Sequence, residues 1–182
     1  MILPAIALAL KATLRRGEIE SLRWGQIDFI KNGLVVGRSK TDAGTGRTIP
    51  INSELRAVLE AYRNWYKQKV APPEPDHYVF PFGSNRKWNP SRHITTLKSA
   101  WENVRAKAGL KARFHDLRHT AITNLCESGA PEATVMAIAG HVSRRMLERY
   151  AHIRTEAKRQ AVEGIAKQGV LSALSARKEV AS

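Results

Sequence analysis

FHDLRHT, residues 114–120, starts a run in which Leu117, Ala121 and Leu125 recur at helical spacing until Gly129. His115 and Arg118 stand three apart at the start of that predicted helix, and so share a face near N–H groups that lack intrahelical partners. Such a place can cradle a phosphate. Arginine offers a planar fork of donors to phosphate oxygens, and an imidazole adds a hydrogen bond or carries a proton. Taken alone, the same residues also read as a surface arginine and a capping or core histidine. His115 and His119, four apart, have the spacing of a helical zinc pair that His141 or His152 could complete. Asp116 stands where a zinc protease would carry Glu, and Arg118 would put a permanent cation beside the metal.

Outward from this helix the chain reads as mainly α with one small antiparallel β-sheet, an α+β class. Upstream, Ile6, Leu10 and Leu14, then Ile19 and Leu22, follow helical spacing through Trp24, with Gly17 the predicted break. Leu34 to Val36 and Thr48 to Ile51 read as the strands of a hairpin around a polar turn, Thr41 to Gly46, with Lys40 near its tip. Ser53 is the predicted cap of a helix striped by Leu55, Val58, Leu59, Tyr62 and Tyr66, which the prolines from Pro72 to Pro75 end. A short strand is expected at Tyr78 to Phe80, then a helix marked by Ile94, Leu97, Trp101, Val104 and Ala108 and ended by Gly109. Pro131 at a first-turn position starts the next helix, which Gly140 stops. Further helices are expected over 144–152 and 155–178, the last weakened at Gly169.

The 182 residues suit one domain, and a hydrophobic content of 43% is enough for a continuous core. Lys and Arg number 30 against 16 Asp and Glu, a formal charge of +14, and residues 86–118 hold nine of the basic residues against two acidic ones. That imbalance points to a polyanionic partner, with a solubilising face, a ribosomal location or a membrane surface as the bland alternatives. One cysteine, Cys126, excludes an intrachain disulfide and a multi-cysteine zinc motif, and fits a reducing compartment. The apolar opening, residues 1–10, has about half the length that crosses a bilayer and reads as a buried helix, so no membrane association is expected. A chain that opens inside such a helix is expected to be preceded by a domain that covers it.

Three more segments carry candidate chemistry. Arg15 lies in ATLRRGEIESLRW (12–24), Lys40 in GRSKTDAGTGRTIP (37–50), and His141 and Tyr150 in AGHVSRRMLERYAHI (139–153). Separately each has a bland reading, as an exposed cation or a tyrosine packed on a helix. Together, LRRGEIESLRW, an Ile27–Asp28 pair, the SKT of the hairpin, HDLRHT, and GH with a tyrosine nine residues later form an ordered series over residues 5–155. That series resembles the tyrosine recombinase (phage integrase) family. Thr13 departs from it, because the family usually has glycine before the LR pair.

The resemblance implies the fold of a tyrosine recombinase catalytic domain over 1–155, with 156–182 as a helical tail. It implies that Arg15 and Arg118 clamp a phosphate, that Lys40 is the hairpin lysine, that His115 and His141 are the two histidines, and that Tyr150 is the nucleophile. Glu18 matches an acidic position that holds the arginine region, and His119 and His152 are supporting residues. The implied reaction cuts and rejoins double-stranded DNA through a 3′-phosphotyrosyl link, with neither metal nor other cofactor. A noncatalytic DNA-binding module, a topoisomerase or a resolvase shares these features. The implied partners are DNA and, for full recombination, a homo-tetramer, with the isolated domain a monomer. The implied setting is the cytoplasm of a bacterium or phage host, at the nucleoid. Ala161, Ile165, Leu171 and Leu174 give the tail apolar positions for docking on a neighbouring subunit.

Overall fold

The computed structural model describes residues 2–37, 39, 44–84, 87–140, 159 and 162–165. Its elements run α1 (Ile2–Ala12), α2 (Arg16–Glu20), β1 (Ile27–Asp28), β2 (Gly33–Val35), β3 (Thr48–Pro50), α3 (Ser53–Lys69), β4 (Pro81–Ser84), β5 (Lys87–His93), α4 (Lys98–Lys107), α5 (Phe114–Glu127) and α6 (Glu132–Ala139). Strands β1, β2 and β3 form one antiparallel sheet, and β4 and β5 a separate antiparallel hairpin. Helix-rich with small sheets, this is the expected class. None of the described helices is long and apolar enough to cross a membrane.

Helix α1 is the central support, packed on both α3 and α5. The face it buries is Pro4, Ala5, Leu8, Ala9 and Ala12, while Ile6 and Leu10 are only half-buried. Small residues on this face leave room for neighbouring helices to approach, and Leu8 is fully buried. The first break falls at residues 13–15, not at Gly17, which lies within α2. Thr13 turns the chain with φ of 54°, a conformation the glycine-based expectation did not foresee in a threonine.

The hairpin pairs Leu34 with Ile49 and Val35 with Thr48, and closes with Gly46 N–H donating to the Val36 carbonyl at 2.8 Å. Helix α3 buries Leu55, Leu59, Tyr62 and Tyr66, leaving Val58 partly exposed. Trp24 stacks on Tyr62 and meets Tyr66 edge-on, while the Tyr62 hydroxyl donates to the Val79 carbonyl at 3.0 Å. Residues 78–80 do not form the expected strand. Tyr78 makes one isolated bridge to Arg23, and the pairing occurs farther on, between β4 and β5, with a register shift after Pro81. Gly109 and Gly129 follow α4 and α5 as expected, while Pro131 occupies the cap before α6 rather than its first turn. A smaller cluster, Ile122, Cys126, Val135 and Ala139, joins α6 to α5.

The cap of α3 is also displaced by one residue from the expectation. Asn52, not Ser53, has the extended backbone of a cap, and its side chain accepts from Leu55 N–H at 2.8 Å. Replacing Asn52 with alanine is expected to lower stability in urea denaturation by about 1 kcal/mol, and Ser53→Ala by less than about 0.5 kcal/mol. Equal losses would return the cap to Ser53.

Candidate active site

Burial of Leu14 leaves three residues in which the chain must turn from α1 into α2. Thr13 does this in the left-handed region, which costs a residue with a β-carbon on the order of 1–2 kcal/mol. Two contacts offset the strain. Its carbonyl accepts from Arg118 Nη1, and its hydroxyl donates to the Ile138 carbonyl at 3.2 Å. The turn thus faces α5 and the end of α6 at once.

Arg15 caps α2. Its backbone N–H donates to Glu18 Oε2 at 2.9 Å, and its Nη1 to Glu18 Oε1 at 2.9 Å. Glu18 is 6% exposed, and also accepts from the Ser39 hydroxyl at 2.6 Å and from Arg47 Nη1 and Nη2 at 3.1 and 2.7 Å. Burial would push its pKa up, but the hydrogen bonds from Arg47, Ser39 and the Arg15 backbone, with the Arg47 charge, bring it down to about 2. The carboxylate is therefore ionised and shared between two arginines.

Arg118 projects from α5 into this centre, 3% exposed. Besides Thr13 it reaches the Ala139 carbonyl, at 2.6 Å from Nη2. Burial, then the Arg15 and Arg47 charges, pull its pKa down to about 10 against the opposing pull of Glu18, so it stays cationic at neutral pH. The last carbonyls of α6, which a helix leaves without internal partners, are taken up by Thr13, Arg47 and Arg118. Gly140 then leaves the helix with φ of 69°, and a β-carbon there would come within 3.2 Å of the Gly44 backbone.

His115 lies one turn before Arg118 on α5, its ring edge-to-face with His119 at 4.8 Å. Its pKa is lowered by desolvation, then by the neighbouring His119 and Arg118 charges, which favours a neutral imidazole able to accept a proton. A cleft of about 400 Å³, lined by Arg15, Arg16, Gly17, Arg113, Phe114 and His115, joins the two segments. Arginines on its walls suit it to an anion.

The structure thus places three of the six expected site residues, and brings Arg15, His115 and Arg118 to one place. Lys40, His141 and Tyr150 lie outside the described residues, as does His152. Arg47 and Ser39 had not been singled out. A signal for Arg47 existed, because the alternation of the returning strand buries Arg47, Ile49 and Ile51 in turn and so predicts an inward cation.

The family described as Phage integrase family matches residues 2–157. The shufflon-specific DNA recombinase of Escherichia coli is 32% identical over 149 residues, covering 81% of this chain and 33% of that protein. Among solved structures, the catalytic domain of bacteriophage HP1 integrase superposes with a TM-score of 0.57 at 21% identity, over 93% of this chain and 82% of that one. The Tn1549 transposon integrase in complex with circular intermediate DNA gives 0.62 at 20% identity, over 81% and 52%. The chain spans about a third to a half of the length of the curated relatives it matches.

Glu18 ties the acid stability of the fold to the site. Its folded-state pKa is depressed from 4.5 to about 2, so the stabilisation, on the order of 3 kcal/mol, is complete above pH 4.5 and lost as pH falls toward 2. Glu18→Gln is expected to lose about 3–5 kcal/mol at pH 7, because it leaves Arg47 a buried cation without its counter-ion. Urea midpoints measured from pH 7 to 2 should then fall less steeply in the variant below pH 4.5, and parallel acid limbs would remove Glu18 from this role.

Proposed function

The chain belongs to the phage integrase family and has the fold of a tyrosine recombinase catalytic domain, and on that premise we propose that it cuts and rejoins DNA strands through a covalent link to Tyr150. The observation that carries this reading is the convergence of Arg15, Arg118 and His115. Two segments about a hundred residues apart in sequence are held together so that Arg15 and the imidazole of His115 line one cleft, with Arg118 buried behind it, near enough for its charge to act on both.

The phenol oxygen of Tyr150 attacks the scissile phosphorus in line, the bond to the 5′ oxygen breaks, and a 3′-phosphotyrosyl link remains. A 5′-hydroxyl from another strand reverses the step. The phosphodiester energy stays in the protein link, so rejoining needs no ATP. Arg15 and Arg118 stabilise charge on the nonbridging oxygens, the preorganised electrostatic contribution that dominates phosphoryl transfer, and their cations serve where other enzymes use magnesium.

An ordinary phenol with pKa about 10 is roughly 0.1% ionised at neutral pH, so prior formation of phenolate would cost about 4 kcal/mol. Proton removal during attack lowers that cost, and His115, held toward its neutral form, is the acceptor we assign. We assign Lys40 as the donor to the leaving 5′ oxygen, and His141 as a second hydrogen-bond donor to the phosphate. Residues 1–155 form the catalytic unit and 156–182 a tail, and the substrate is double-stranded DNA. Exchange between two duplexes requires four such units, acting at the nucleoid.

The test is covalent trapping. A pool of nicked duplexes with randomised sequence, which lose the short 5′-hydroxyl strand after cleavage, should yield protein–DNA adducts with the wild-type chain in excess EDTA. Tyr150→Phe removes only the nucleophilic oxygen and is expected to abolish adducts while DNA binding stays within about twofold. Adduct formed by the variant would overturn the nucleophile assignment.

Lys40 is tested by the leaving group. A duplex with sulfur at the scissile 5′ bridging position leaves as a thiolate, which gains little from protonation. Lys40→Ala should be slow on ordinary DNA and recover most of its rate on the sulfur duplex, whereas Arg118→Ala should be slow on both. Equal impairment of Lys40→Ala on the two would assign the proton to another group, with Lys31, Arg38 or a histidine next to be tried.

A further inference from the structure

Arg47 has no place in the chemistry assigned above, yet the supports of both phosphate arginines meet on it. Its guanidinium is buried, and donates through Nη1 and Nη2 to the two oxygens of Glu18 at 3.1 and 2.7 Å. Nη1 also reaches the Gly44 carbonyl at 2.6 Å, and Nε the Ile138 carbonyl at 3.1 Å. Glu18 is the carboxylate that holds Arg15, and the carbonyl after Ile138, that of Ala139, holds Arg118. One rigid planar group therefore connects the two supports. We infer that Arg47 is a positioning residue that fixes the spacing of Arg15 and Arg118 and keeps their charge available to the scissile phosphate. The inference deepens the reading of this site as a phosphodiester-cleaving centre and rests on it.

Arg47 acts through both geometry and charge. By taking both oxygens of Glu18, Arg47 sets the plane of the carboxylate, and Arg15 meets that carboxylate through Nη1. Without Arg47, the carboxylate would keep only the Ser39 hydroxyl and Arg15 among these donors, and would be open to a fork-to-fork pair with Arg15 that draws its charge away from a phosphate. The Ile138 carbonyl would keep the Thr13 hydroxyl, and the neighbouring Ala139 carbonyl would hold Arg118 less firmly. Lysine is no substitute. Its single nitrogen carries the charge but cannot reach Glu18, Gly44 and Ile138 together in the fixed plane that arginine provides.

A plainer role is open to Arg47, as counter-ion to Glu18 and strut of the hairpin. Loss of a strut lowers stability and slows every substrate alike. Loss of positioning affects only a phosphate whose negative charge needs the arginines.

The experiment uses the chain with a duplex recovered from the trapping pool, made with an ordinary scissile phosphate and with a methylphosphonate, in which the nonbridging negative charge is absent. Single-turnover adduct formation is measured at saturating DNA for wild type, Arg47→Met and Arg47→Lys, with Tm for each. Both variants are expected to form adduct at least about tenfold more slowly than wild type on the phosphodiester, and within about threefold of it on the methylphosphonate. Arg47→Lys should retain most of the Tm, and carries the comparison if Arg47→Met does not fold. Equal slowing on both duplexes, or a full rate for Arg47→Lys on the phosphodiester, overturns the inference and leaves the recombinase reading intact. Absence of adduct with the wild-type chain overturns that reading, and this inference with it.

Discussion

Glu18 accepts five hydrogen bonds, from the backbone and side chain of Arg15, from Ser39 and from two nitrogens of Arg47, in a place almost closed to water. A buried carboxylate is tolerable only when its lone pairs are satisfied and its charge is answered. Here the three donor residues come from different parts of the fold: the α1–α2 turn, the β2–β3 loop and the residue that leads into β3. The constraint acts in both directions. Glu18 holds these segments together, and because they must stay within hydrogen-bonding distance of it, the arginine that faces the cleft cannot wander.

A second set of polar contacts completes the arrangement from the other side. Helix α6 ends on carbonyls that carry the partial negative charge of a helix C-terminus, and Arg47 and Arg118 approach them with positive charge. The helix end and Glu18 together compensate a concentration of arginines that would otherwise repel one another. Each arginine keeps its full charge while part of its field is balanced. Such a site is made ready before an anionic ligand arrives, which is the condition for stabilising charge without reorganisation.

Much of this was legible in the sequence, and the failures have identifiable physical causes. The stripe of α3 and the stops after α4, α5 and α6 depend on local periodicity and backbone chemistry, and they were read directly. The helix break was expected at Gly17 rather than at Thr13, whose left-handed conformation is maintained by Arg118 and Ile138, more than a hundred residues away. The β4–β5 hairpin was not foreseen, and its strands carry Pro81, Gly83 and Pro90, residue types that ordinarily interrupt a strand. Arg15, His115 and Arg118 were legible through motif order. Arg47 was not, since a cation in a hairpin has an ordinary solvent-exposed reading, and only strand alternation argues otherwise. The share of the expected site carried by Lys40, His141 and Tyr150 lies beyond the described residues.

The bonds from Thr13, Arg47 and Arg118 to the end of α6 have a consequence for the life of the molecule on the ribosome. They join residue 13 to residue 138 and residue 47 to residue 138, so the polar centre cannot close until α6 has been made. Arg15 and Glu18 are synthesised early and can pair locally within α2, but the second arginine and the carbonyls that hold it arrive some hundred residues later. At translation rates of roughly 5–20 residues per second, that interval lasts about 5 to 20 seconds. A nascent or prematurely ended chain therefore has Arg15 without Arg118, and the pair proposed to hold a phosphate is assembled only after most of the chain has been made.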